Sequence, residues 1–240
     1  AFGSDTTAAP LQQAPPVQTT PLSCRRPAGH EQKTTCDRLE QQILAVTIRI
    51  EMHTWVTFGG HNKPITTESH ATILDGKYLV THNHFKYSLT EQVLEYGEQK
   101  GYTGVSIRTT GGNLLLENAP LASFSIVHEE PETLVLAFVD ENGTGLFERH
   151  GLSSAQFAAW GSISWQPGME LAQIDWDGDT AHVDWVLVEN LGLDNNSPQI
   201  QVNNFPKKGC SGGGIFWNGT HVGNNWAKNI EENPNTGEIV

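Results

Sequence analysis

Ser211 is the residue whose neighbours best suit it for chemistry. It stands in Lys208-Gly209-Cys210-Ser211-Gly212-Gly213-Gly214-Ile215-Phe216, followed at once by the turn-forming pair Asn218-Gly219. Glycine on both sides lets the backbone turn sharply and lets a ligand approach bare N–H groups. A serine held that way can act as a nucleophile, with neighbouring N–H groups facing a developing oxyanion. The same stretch is also compatible with a glycine-rich surface loop before a hairpin. What separates the two is a base elsewhere in the chain.

The candidate base lies in Tyr78-Leu79-Val80-Thr81-His82-Asn83-His84-Phe85, an apolar run that ends in a polar cluster with two histidines. Histidine suits a serine nucleophile because its pKa lies near neutrality. His82 and His84 are two residues apart and would share one face of a continuing strand. That pairing also raises a zinc site, which needs at least one more Cys, His or carboxylate ligand. No HExxH or paired CxxC pattern occurs to support such a site.

These motifs need a scaffold, and the pattern around them is one of short strands. Ile43 to Phe58 alternates β-branched and aromatic residues, and Asp75-Gly76 between two apolar runs is a hairpin signal. Further strands are expected at 105–109, 113–116, 124–127, 134–139, 172–176, 182–188, 199–202, 214–217 and 220–222. Two stretches read as helical: a short helix starting at an Asp37 cap with Glu40 three residues on, and Thr90 to Lys100. Many short strands at 8–12-residue spacing imply an all-β barrel or sandwich.

Composition narrows the rest. The formal net charge of −13 and the absence of a basic stripe argue against nucleic-acid binding. No apolar run is long enough to span a bilayer. Residues 1–36 are rich in Pro, Thr, Gln and Ala and read as an extended arm or linker, able to dock on a partner or neighbouring subunit. Cys24 and Cys36 flank a short polar segment, and a bridge between them would suit an oxidising compartment. Cys210 is left over. Asn142, Asn195 and Asn218 each begin a glycosylation sequon, which matters only in a eukaryotic secretory pathway. The first residues show no signal peptide and equally suit the mature end left after one is removed.

Taken together, the stretch from Ile73 to His84 resembles the segment that carries the catalytic histidine in trypsin-like peptidases. The closest look is to the bacterial branch of high-temperature-requirement proteases, where a strand ends in an apolar-apolar-Thr-x-Asn-His run. Gly209 to Gly223 resembles that family's nucleophile loop, Gly-x-Ser-Gly-Gly, and its hairpin. The resemblance spans about residues 43 to 229. It implies two six-stranded-type antiparallel β-barrels, about 43–145 and 155–229 within a domain of 37–229, with a tail over 230–240.

By that resemblance Ser211 is the nucleophile, His84 its general base, and the N–H groups of Gly209 and Ser211 the oxyanion hole. The resemblance implies a peptide substrate, no metal and no organic cofactor, and a place of action that is secreted or at the cell surface. The pattern's aspartate is missing: Glu132 is the first choice to orient His84, with Asp140 the runner-up, and a one-residue shift puts Thr133 in its place. Cys210 stands where members matured by cleavage carry an aspartate, so that activation switch is not expected. Gly214 replaces a common proline. Phe205 falls at the base of the primary pocket, which does not suit an Arg or Lys preference. Asn224, Asn225 and Trp226 would form the pocket wall and the edge that pairs with an extended substrate. Two rival readings stand beside this one: a binding or structural module on the same fold that has lost activity, and Cys210 as a redox-sensitive or partner-linking thiol.

Overall fold

The computed structural model describes residues 22–58, 60–83, 85, 92–93, 99–130, 132–194, 197–204, 207 and 209–225. The chain is built almost wholly from antiparallel strands. In order these are β1 (Thr47–Phe58), β2 (His61–Leu74), β3 (Tyr78–Thr81), β4 (Gln92–Val93), β5 (Gln99–Thr109), β6 (Leu114–Ala119), β7 (Ser125–Glu130), β8 (Thr133–Ala137), β9 (Glu170–Trp176), β10 (Ala181–Asp194), β11 (Ser197–Val202), β12 (Gly214–Trp217) and β13 (Thr220–Asn224). They form an eight-stranded sheet in the order β4-β5-β1-β2-β3-β8-β7, with β6 on β5. The second sheet has five strands in the order β11-β10-β9-β12-β13. This is the chymotrypsin-like double-barrel plan, with eight and five described strands where the sequence suggests six and six.

Two hairpins follow directly from turn chemistry. Asp75 and Gly76 have φ of 48° and 65°, and Asn218 and Gly219 have φ of 48° and 77°. Positive φ at both central positions is the primed turn whose twist matches the strands it joins. The first sets β2 against β3, with Thr72 opposite Val80. The second sets β12 against β13, with Gly214 opposite Asn224.

β1 buries both of its faces, and each face has a different purpose. Ile48, Ile50 and Met52 point into a core shared with Ile73, Leu79, Val105, Ile107, Leu134 and Leu136. The alternate residues Arg49 and Glu51 form a charged layer: Arg49 pairs with Glu68 and Glu51, and Arg108 pairs with Glu51 at 3.2 Å. The Arg49 guanidinium lies 4.8 Å from the ring centre of Trp176, at the end of β9 in the other sheet. A cation over an indole face is attracted by its quadrupole, so this layer joins the two sheets.

A helix, α1 (His30–Ala45), is the second join. Cys36, Leu39, Ile43 and Leu44 recur at the spacing that makes one apolar stripe. Ile43 packs with Ala172 and Ile174 of β9, Phe216 of β12 and Val46. Glu40 accepts a hydrogen bond from the Trp185 indole at 2.6 Å. The helix is longer than the sequence suggests and begins at His30 instead of at an Asp37 cap. Gly29 precedes it without a side-chain cap, and Asp37 pairs with Lys33 one turn back at 2.9 Å. Residues 30–36, read from composition as part of an extended arm, are therefore helical, and Cys24 is bridged to Cys36. Ahead of the helix, the Glu170 carboxylate accepts from Ser23 Oγ at 2.8 Å and from the backbone N–H of Cys24 and Arg25.

Two further expectations are corrected. Within the stretch Thr90 to Lys100, Gln92–Val93 is a strand paired with Gln99 and Lys100, because sheet pairing overrides the helical preference of Glu, Gln and Leu. A short helix not foreseen, α2 (Leu146–Arg149), closes the first core with the fully buried Phe147. If α1 is the strut that this packing describes, Ile43→Ala costs about 2–5 kcal/mol, the range for emptying a buried aliphatic site. Urea denaturation monitored by tryptophan fluorescence checks this, and a loss under about 1 kcal/mol refutes the role.

Candidate active site

The loop bearing Ser211 lies where the two sheets meet, and polar groups from both hold it. From the first sheet, the backbone N–H of His70 donates to the Ser211 carbonyl at 3.0 Å and Ser69 Oγ donates to it at 2.6 Å. His70 also donates through Nδ1 to the Gly209 carbonyl at 2.8 Å. One histidine therefore grips the carbonyls on either side of Cys210. Its ring lies 5.2 Å from that of Trp176. Burial lowers the His70 pKa, with the Gly209 bond opposing and the Arg49 charge assisting, so the imidazole is held neutral.

From the second sheet, Gln173 and Asp175 share one face of β9 because they are two residues apart. Gln173 donates to the Asn225 side chain at 2.9 Å, and Asn225 donates to the Ile174 carbonyl at 2.8 Å. The Asn225 backbone completes the grip: its carbonyl accepts from Gly212 N–H and its N–H donates to Gly213, both at 2.8 Å. Asp175 Oδ1 accepts from Trp176 N–H at 2.8 Å, Lys207 N–H at 3.0 Å and the Cys210 thiol at 3.0 Å. Burial alone would raise the Asp175 carboxyl pKa, but these donors outweigh it and the net shift is downward.

Glycine is required at two points in the loop. Gly212 has φ of +79°, and a Cβ there would collide with Thr81 Oγ1 and the His70 carbonyl oxygen. The serine loop is thus pressed against the end of β3, the strand that leads to His84. Gly209 has φ of +102°, with the Trp176 ring against the place a Cβ would take. These two conformations set an alternation in the backbone donors. Cys210 N–H donates to Lys207, Gly212 N–H to Asn225 and Gly213 N–H to Cys210. Among the described residues, the N–H groups of Gly209 and Ser211 have no acceptor, nor does the Ser211 hydroxyl have a partner.

The remaining candidates fall in several places. His84, Phe205 and Trp226 lie outside the described residues; Asn83 and Phe85, on either side of His84, are buried. Glu132 is in the turn before β8, and Thr133 is that strand's first residue, opposite Glu130 in β7. Glu132 and Asn224 meet in one cleft of about 230 Å³ between the sheets, lined also by Thr133, Trp160, Ile200 and Ile215. Ser211 is not part of that lining. Asp140 is committed elsewhere: it accepts from Asn142 and Thr144 N–H and pairs with Arg149 at 2.9 Å. Asn225 is a buried tether for the serine loop, so its backbone cannot also pair with a substrate.

Cys210 is fully buried, and burial together with the bond to Asp175 raises its thiol pKa strongly. A buried protonated thiol is neither a redox sensor nor a link to a partner, which corrects that reading. His182 and Asp184 lie on the far side of Asp175, with ligand-type atoms of all three within 4.8 Å. Asp184 accepts from Asn204 at 3.0 Å. Sequence reading did not single out His70 or Asp175, since strand register alone brings them to the loop.

No protein-family model matches the chain, and no curated protein matches it by sequence. Its fold is that of the chymotrypsin-like double-barrel proteins. Among solved structures it is similar to one described as an HtrA-type protease, AlgW, with a decapeptide. The TM-score is 0.59 and the identity 15%, over 84% of this chain and 60% of that one. At that identity the likeness is one of fold, and the chain spans less than two thirds of its neighbour's length.

One pH effect follows from β13. His221 is buried beside Asn224 and Phe216, and burial pulls its pKa down to about 4, with the Asn224 bond partly opposing. The unfolded chain takes up a proton near pH 6.5 that the folded chain refuses until near 4, so stability falls as pH drops through that window. Between pH 7 and 4.5 the loss from His221 is about 2.5 kcal/mol, and His70 adds to it in the same direction. His221→Gln, which keeps a side-chain N–H near the Nε2 position, should flatten the pH dependence of urea midpoints by that amount. An unchanged slope would show that His221 does not titrate in this way.

Proposed function

We propose that this chain is a serine endopeptidase that hydrolyses peptide bonds through an acyl-enzyme at Ser211, with His84 as general base. The observation that carries this reading is the alternation in the loop: Cys210, Gly212 and Gly213 N–H are bonded, while those of Gly209 and Ser211 have no described acceptor. Two donors on either side of Cys210, with no acceptor among the described residues, beside a serine hydroxyl with no partner among them, suit a carbonyl oxygen as it becomes an oxyanion. The fold-level likeness to an HtrA-type protease points the same way. So does the contact of Gly212 with Thr81 and His82, two residues from His84.

In this reaction Ser211 Oγ bonds to the substrate carbonyl carbon as its proton passes to His84. The C–N bond then breaks, and the leaving amine takes that proton. Water, deprotonated by His84, attacks the ester carbonyl; the acyl C–Oγ bond breaks as His84 returns the proton to Ser211 Oγ, releasing the carboxylic acid product. Glu132 is the carboxylate proposed to orient His84. Asn224, at the same cleft, is a residue for the substrate to touch. The Cys24–Cys36 bridge supports an extracytoplasmic site of action.

A fluorophosphonate probe tests the assignment. At pH 7.5 it should modify Ser211 alone, as mapped by peptide mass spectrometry. Ser211→Ala should abolish the adduct, and His84→Ala should slow it by about a thousandfold or more, as expected for losing a member of a catalytic unit. Failure of the folded native protein to react at Ser211 would leave the binding-module reading in its place.

A further inference from the structure

The nucleophile loop has an anchor that the reaction does not explain. Asp175 is 5% exposed, and its Oδ1 takes three donors from three points of the chain: Trp176 N–H at 2.8 Å, Lys207 N–H at 3.0 Å and Cys210 Sγ–H at 3.0 Å. Lys207 and Cys210 bracket the start of the loop, and Cys210 N–H closes back on the Lys207 carbonyl at 3.2 Å. A carboxylate is an acceptor only, and bonds to an ionised acceptor are stronger than neutral ones. One buried oxygen thus fixes both ends of the segment that contains Gly209.

We propose that Asp175 is a positioning residue for the oxyanion loop, acting through the Cys210 thiol and the Lys207 amide. It fixes the Gly209 and Ser211 N–H groups, which have no acceptor among the described residues, without a freed amino terminus. This rests on Ser211 being the nucleophile. The residue beside the serine is the donor, and the carboxylate comes from β9 in the second sheet. The latch therefore lies within the second sheet and the loop between β11 and β12, with no cut in the chain needed. His70 holds the same loop from the opposite sheet through the Gly209 and Ser211 carbonyls, so its position is defined from two sides.

The test uses the full chain and two readouts, one independent of the serine's reactivity. Cys210→Ser keeps a donor at this position, and Cys210→Ala removes it. The fluorophosphonate labelling rate should fall at least tenfold in Cys210→Ala and stay within threefold of wild type in Cys210→Ser. Amide hydrogen exchange over residues 207–213 should accelerate in the alanine variant only. Labelling of Cys210→Ala at the wild-type rate, or unchanged exchange, overturns the positioning role while leaving the nucleophile intact. If wild type does not label but exchange still responds to Cys210→Ala and not to Cys210→Ser, the latch stands and the nucleophile assignment fails. Asp175→Asn keeps an oxygen acceptor but removes the charge, and covers the case in which Cys210→Ala does not fold. It should label at least threefold more slowly, and a wild-type rate there also overturns the proposal.

Discussion

Everything in the molecule turns on fixing a loop that has no regular structure to fix itself. A segment rich in glycine has more freedom to lose than any other, so left alone it would sample many shapes. Here buried polar groups remove that freedom. His70 and Ser69 approach from one sheet, and Asp175, Gln173 and Asn225 from the other. Each is hydrogen-bonded where water cannot substitute, so misplacing the loop leaves buried donors and acceptors unmatched. The cost of such unmatched groups, about 1–3 kcal/mol each, is what makes one shape prevail.

That arrangement depends in turn on the two sheets being held in register. The hydrophobic cores of the sheets are separate and would not by themselves align His70 with Asp175. The alignment comes from the layer between them. Arg49 of β1 lies over Trp176 of β9, and α1 places Ile43 against β9 and β12 before the chain enters β1. β1 alternates apolar Ile48, Ile50 and Met52 with polar Arg49 and Glu51, but here its polar face meets Trp176 of β9 instead of lying open to water.

The sequence was most legible where chemistry is local. Asp75-Gly76 and Asn218-Gly219 set two hairpins because glycine, and Asn or Asp with their short polar side chains, sit most easily at positive φ, and the strands around them followed from alternation. Ser211 and its glycines were legible as a motif for the same reason. Legibility ended where a distant partner decides the outcome. The start of α1 lacks a side-chain cap, and its first turns are held by the bridge to Cys24 and the Lys33–Asp37 pair. The 92–93 stretch has helical composition but finds a strand to pair with. Asp175 stands between Ile174 and Trp176 in a mostly apolar strand, and nothing near it in sequence announces a thiol 35 residues away. The choice between Glu132 and Thr133 was open in the sequence because strands tolerate a one-residue offset in reading. The fold puts the threonine first in β8 and the glutamate in the preceding turn.

β9 carries one further consequence. Glu170 opens the strand and binds the segment ahead of α1 through Ser23, Cys24 and Arg25; Asp175, near the other end, binds the serine loop. In mechanical language the strand is a tie rod with a fitting at each end. The covalent staple between Cys24 and Cys36 keeps the first fitting from working loose. Tension applied to the chain before residue 22 would meet that rod at Glu170, on the strand whose opposite end carries Asp175.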